Sequence, residues 1–448
     1  MIADFVLNNA KAYLKQGIVD CSIAVEDGKI FKIGKETHMS KAEEKTDLHN
    51  LLVLPGVIDS HVHLRDEEKA YKETFLTGTA AAAAGGVTTV LDMPNNTPVT
   101  MSAQTLRNRL QLAKRLVLVN VGFYSEFPKN LNEPKEIVAE GAVGFKLFMA
   151  EQVGGLNIDD DEALKEAFKK TAELNVPVAV HAEDHRLLKK AIEKLKLAKR
   201  HDLTAFLKAH NENVEYAAVK RLLDINAQVG NHLHFCHLST EKGLDAVAEA
   251  KKADQKVTCE VTPHHLLLTK EAYESLGVKA VTMPPLRSRE NVEALWRGVT
   301  EETVDLIGSD HAPHTLEEKD ANSIWDVKVG VPGLETTLPL MLTMVHKKRL
   351  SLDRAVQLLT EKPAEIFNLN DRGCLEQGKN ADFVVVDFNQ RFKIDASKFQ
   401  SKAKFSPFNG WEAQGKPVKT FVNGQLVMDE QRIVAKPGSG SVVRRAQT

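Results

Sequence analysis

The chain has 448 residues, 43% of them hydrophobic and 27% charged, with a net charge of −2. That length exceeds one ordinary core, so two domains or one large barrel with an accessory domain are expected. The near-neutral charge supplies no field for nucleic acid or anionic lipid, and no apolar run approaches the ~18–20 residues needed to span a bilayer.

In chain order, residues 1–11 carry neither a basic stretch nor a long apolar one, so export is not expected and a cytoplasmic location is. Residues 1–54 read as short strands, with Asp27-Gly28 as a hairpin signal. The far end mirrors this, with a Val-rich strand over 382–388 and a hairpin turning at Asn423-Gly424. The two ends, 1–54 and 375–435, predict one accessory β-sandwich domain. Between them, 55–374 alternates short apolar strands with helices. Strands are expected at 57–62, 87–93, 116–122, 143–148, 176–181, 232–237, 257–261 and 304–309. Helices are expected at 77–84, 102–115, 160–174, 212–228, 241–252, 290–301, 332–346 and 352–359. This alternation implies parallel strands with right-handed crossovers, and eight units of this size predict a (β/α)8 barrel. An open doubly wound sheet is the alternative, but no glycine-rich phosphate loop follows the first strand. The Gly-, Ser- and Arg-rich stretch 436–448 is expected to be a flexible tail. The four cysteines, Cys21, Cys236, Cys259 and Cys374, form no C-x-x-C pair and predict reduced, mostly buried thiols.

The stretch 57–66 organises the rest. On a strand, side chains at i and i+2 share a face, so His61 and His63 project together and can grip one metal ion. Chemistry in such a barrel sits at the C-terminal ends of the strands. Those ends read His61 and His63, Asn95, Lys146, His181, His237 and Asp310. One polar residue at a strand end is ordinary; metal-competent residues at five of them are hard to explain by packing. Lys146 stands inside an apolar strand, where an unpaired ammonium is costly. A salt-bridged or snorkelling lysine is the plain reading. The sharper one is carbamylation by CO2, which makes a carboxylate able to bridge two divalent ions.

Six segments together resemble the cyclic amidohydrolases, and among them the dihydroorotases: DSHVHLRD at 59–66, TTVLDMPNN at 88–96, GFKLFM at 144–149, VHAE at 180–183, CHLS at 236–239 and GSDHAPHT at 308–315. The resemblance runs from about residue 54 to 428. It implies that His61, His63 and Asp310 bind one Zn2+ and His181 and His237 a second, with carbamylated Lys146 and a hydroxide bridging both. Two such ions supply a nucleophile at neutral pH and polarise a carbonyl, and Asp310 can take the proton and pass it to the leaving ring nitrogen. The implied reaction is the reversible hydrolysis of L-dihydroorotate to N-carbamoyl-L-aspartate in pyrimidine synthesis. The resemblance gives Arg65, Asn95 and His314 the substrate carboxylate, and the backbone at Pro332-Gly333 the pyrimidine edge. For Arg65 the plain alternative is a salt bridge with Asp66 or Glu67; for Asn95 it is a turn before Pro98.

Allantoinases typically lack counterparts of Asn95 and His314, and hydantoinases usually lack one of Arg65, so these residues favour the dihydroorotase type. A non-catalytic scaffold of the same ancestry is the reading from another class, and the full ligand set speaks against it. Met283 departs from the family's usual asparagine, and Glu67-Glu68 replaces a frequent Pro-Gly, which changes a loop rather than a ligand. Arg287 matches the family's arginine after the prolines. His264-His265 are read as groups behind the site; His232, His234 and His210 are read as ordinary. A homo-oligomer and a docked aspartate transcarbamoylase are partners the resemblance admits.

Overall fold

The computed structural model describes residues 2–446. Its centre is an eight-stranded parallel sheet whose strands neighbour one another in chain order. They are Val57–Val62, Val87–Asp92, Asn120–Glu126, Ala142–Phe148, Val178–His181, Leu233–Phe235, Val257–Val261 and Leu306–Ile307. The barrel closes where His63 N donates to His311 O at 2.8 Å and Val62 bridges His311 in parallel. Helices cover the outer face, so the strands are buried on both sides; this is why they read as apolar runs rather than alternating ones. Ile58, Leu91, Tyr124, Ala179, Cys236 and Leu306 pack inside the barrel, with Phe367 and Leu369 among them.

The helices start where side chains can cap them. Thr74 with Thr77, and Ser102 with Thr105, form capping boxes for Phe75–Ala84 and Ala103–Leu116. The first ends at Gly85, where an added Cβ would meet the Leu334 carbonyl at 2.0 Å. Only glycine lets that helix end approach the loop after the eighth strand.

Both chain ends join in one nine-stranded mixed sheet, in which Leu52–Pro55 lies between Ala3–Leu14 and Phe383–Lys393. Phe5 and Phe421 stack with centroids 5.5 Å apart. Their strands are three spacings apart, about 14 Å in a flat sheet, so the sheet curls over a core that includes Leu7, Ile23, Phe383 and Val418.

Four expectations need correction. The third strand is Asn120–Glu126, not 116–122, because Leu116 ends a helix and Val117–Val119 are buried loop. The helix expected from 332 begins at Thr337, since the Gly333 carbonyl accepts the N–H of Thr336 and Thr337 at 3.1 and 3.0 Å. Helices Pro134–Glu140, His185–Leu197 and Leu203–Ala209 went unread. The described part of 436–448 runs along the base of the barrel rather than fraying. Val121 N donates to Ser441 O at 2.8 Å and Val443 N to Val121 O at 2.9 Å. The glycines there serve close approach: a Cβ on Gly440 would meet Val119 O at 2.1 Å. Among the described residues no helix is long and apolar enough to cross a membrane, and all four cysteines are free thiols.

Candidate active site

The C-terminal mouth of the barrel gathers four buried imidazoles. The His61 ring lies 5.5 Å from that of His63 and 5.1 Å from that of His237, which is 4.8 Å from His181, centroid to centroid. Asp310 Oδ1 sits 3.5 Å from His61 Nε2 and 3.3 Å from His63 Nε2. Burial first, and then neighbouring charge, holds His63 and His237 well below the usual imidazole range; burial also lowers His61. Burial thus favours the neutral imidazole, the form that ligates metal. Burial raises the Asp310 carboxyl. Arg65, His237 and Asp310 all take left-handed backbone, with φ of 57°, 34° and 45°, the kind of strain that collects at functional sites.

Three of the four rings are oriented from behind. His61 Nδ1 bonds Glu260, and His63 Nδ1 meets Asn95 Oδ1 at 2.7 Å. His181 Nε2 lies 3.0 Å from Glu183, whose other oxygen meets His210 Nδ1 at 2.8 Å. Burial opposes ionisation of Glu260 and Glu183, but His61 with His234, and His210 with His181, outweigh it and keep both carboxylates charged. Lys146 is fully buried, with Nζ 3.2 Å from Cys236 Sγ and 4.9 Å from the Phe148 ring. It forms no salt bridge among the described residues, and burial pushes the Cys236 thiol up to about 12, leaving it neutral.

On the other side stands Arg65, only 7% exposed. Neither expected acid pairs with it: Asp66 accepts the N–H of Glu67 and Phe75 at 2.7 and 2.6 Å, and Glu67 binds Arg109 at 2.7 Å. Among the described residues its Nε has no partner, and its Nη2 lies 3.4 Å from His314 Nε2, itself bonded to the Val329 carbonyl at 3.0 Å. His314 Nδ1 sits 3.2 Å from both Lys72 Nζ and Glu318 Oε2. Among the described residues no carboxylate lies within salt-bridge reach of Arg65; the charges of Asp310 and Asp92 act on it from farther away.

The amidohydrolase family matches this chain over residues 52–427. The chain belongs to the amidohydrolase family. A dihydroorotase from Methanothermobacter thermautotrophicus is 39% identical over 422 residues, 93% of each chain. One from Methanosarcina acetivorans is 36% identical, covering 98% of this chain and 94% of its own. Among solved structures, an L-hydantoinase (dihydropyrimidinase) from Arthrobacter aurescens superposes with a TM-score of 0.95 at 33% identity, over 99% of this chain and 100% of its own.

Membership in the amidohydrolase family implies a divalent cation, and the residues present fit one. The ligand atoms of His61, His63 and Asp310 all lie within 4.8 Å of one another and are buried. The His237 Nδ1 is buried without a partner among the described residues. Not every predicted contact is open to a ligand: the Gly333 N–H donates to His311 Nδ1 at 3.2 Å and its carbonyl serves the following helix. That leaves the Pro332 carbonyl at this edge. Met283 packs against an apolar cluster with Ala150 and Leu188. Arg287 donates to Ser239 Oγ at 2.9 Å and to the His210 carbonyl at 2.5 Å.

Sequence reasoning missed the groups behind the ligands. Glu260, an acid inside the apolar strand Val257–Val261, posed the same anomaly as Lys146 and went unread. His234 and His210 are not ordinary, being bonded to Glu260 and Glu183. His234 reaches Glu260 by its ring and His237 by its backbone N–H. His265 bonds Thr262 Oγ1 at 2.9 Å and the Pro284 carbonyl at 3.1 Å, bracing the loop behind the site.

Proposed function

We propose that this amidohydrolase is a dihydroorotase, reversibly hydrolysing L-dihydroorotate to N-carbamoyl-L-aspartate for pyrimidine synthesis. The observation that carries the reading is the guanidinium of Arg65, buried with no salt bridge among the described residues, its Nη2 3.4 Å from His314 Nε2. A buried cation calls for an anion, and a planar fork suits a carboxylate. The dihydroorotase names of the M. thermautotrophicus and M. acetivorans relatives support it.

His61, His63 and Asp310 would hold one Zn2+, His181 and His237 the other, and Lys146 as a carbamate would bridge them. Carbamylation turns the buried amine, which stands 3.2 Å from a neutral thiol, into an anion set between the two groups of imidazoles. When bound, such ions polarise the scissile carbonyl and acidify a water. The chain's own residues do the rest. Arg65, the Asn95 amide and His314 fix the ring by its carboxylate. The Asp310 carboxylate accepts the proton of the attacking water and delivers it to the departing ring nitrogen. Glu260, Asn95 and Glu183 keep His61, His63 and His181 aimed.

A hydantoinase or dihydropyrimidinase reading is favoured by the Arthrobacter structure's name and by the apolar Met283. Rates on dihydroorotate, dihydrouracil, hydantoin and allantoin with zinc present separate them. Dihydroorotate is expected to be turned over fastest; a preference for dihydrouracil or hydantoin would sink the proposal.

A further inference from the structure

The turn that delivers Arg65 passes through three consecutive left-handed residues, Arg65, Asp66 and Glu67, at φ of 57°, 55° and 50°. Residues other than glycine seldom adopt this backbone, and a run of three needs an external hold. A proline, fixed near about −65°, has no access to the Glu67 position.

What holds the turn also reaches the neighbouring site loop. One Glu67 oxygen accepts from Arg109 Nη1 at 2.7 Å and from Asn96 Nδ2. Arg109, buried on the helix Ala103–Leu116, donates from Nη2 to the Arg65 carbonyl at 3.0 Å and from Nε to Asp92 at 3.0 Å. Lys69 Nζ donates to the Asn95 carbonyl at 2.6 Å. The segments carrying Arg65 and Asn95 leave different barrel strands, yet they meet at this one carboxylate. Without Glu67, Arg109 would still be tied to Asp92, so the helix packing would persist, while the two loops would be left with the weaker hold of the Lys69 bond to the Asn95 carbonyl and the Glu68 N–H to Thr97 O contact at 3.4 Å.

We infer that Glu67 is a positioning residue for carboxylate recognition: it straps the Arg65 turn to the Asn95 turn so that guanidinium and amide face one anion. The inference rests on the dihydroorotase reading, and Glu67 bonds none of the proposed metal ligands.

The test compares the zinc-loaded parent enzyme with Glu67→Ala and Glu67→Gln. In Glu67→Ala the KM for dihydroorotate should rise about tenfold, equivalent to about 1.4 kcal/mol, with kcat within about twofold, the split expected of lost ground-state binding. Glu67→Gln, whose amide oxygen still accepts from Asn96, should fall between. Amide hydrogen exchange over 64–69 and 94–100 should accelerate in both segments together. An unchanged KM, an equal loss in kcat, or acceleration confined to 64–69 would each overturn the inference. A parent with no activity on dihydroorotate would refute the functional reading, and exchange alone would then decide the strap: joint opening upholds it, separate opening overturns it.

Discussion

At the scale of single residues, three side chains test the proposed site. Arg65→Lys replaces a planar fork by a point charge, so the KM for dihydroorotate is expected to rise at least about tenfold, by steady-state kinetics, with the metal content unchanged. Lys146→Ala removes the proposed bridge. It should lose metal by elemental analysis and nearly all activity, and a short carboxylic acid should restore part of both. Full metal content in that variant would remove Lys146 from the site. Glu260 binds His61 and accepts the His237 N–H at 3.1 Å, so Glu260→Gln should weaken metal binding by about 10–100-fold, the usual range for a group behind a ligand, as read by chelator competition.

At the scale of elements, the loop after the eighth strand supplies His314 and then the helix Leu316–Lys319. Lys319 is buried there, donating to the Val281 carbonyl at 3.0 Å, and burial pulls it from 10.5 down to about 7. Between those values the unfolded chain holds more protons than the folded one. Stability from this group is therefore full above about pH 10.5 and is lost as the pH falls towards 7. Urea midpoints should rise from pH 7.5 to 9.5 in the parent, and Lys319→Met should flatten that slope; equal slopes would show that Lys319 is protonated in the fold. Elements were legible wherever burial left a run. Glu241–Lys252 and Val257–Val261 match their expected bounds. The third strand slipped because Val117–Val119, apolar and buried, imitate a strand without pairing as one.

At the scale of the molecule, the chain ends are stitched into the rest. Besides the bonds to Val121, Gly438 and Gly440 donate to Val117 O at 3.1 and 3.0 Å, and Ala446 to Asn368 O at 2.9 Å. At about 0.5–1.5 kcal/mol for each such bond, removing residues 437–448 should lower the melting temperature by several degrees in calorimetry. Activity at low temperature should be kept, because the described part of the tail pairs with Val117 and Val121, at the end of the barrel opposite the mouth. An unchanged melting temperature would mean that the tail contributes nothing net.

By itself the sequence determined the barrel, since strand–helix alternation with doubly buried strands admits few other folds. It also marked His61, His63, Lys146, His181, His237 and Asp310, because a polar or charged residue at the end of an apolar strand stands out locally. Only the tertiary structure decided what lies behind and beside them. Glu260, Glu183, His210 and Arg109 come from elements far along the chain, and their pairing depends on which strands become neighbours. The freedom of Arg65 was likewise invisible in sequence: two acids follow it directly, and only the left-handed turn carries both away to other partners.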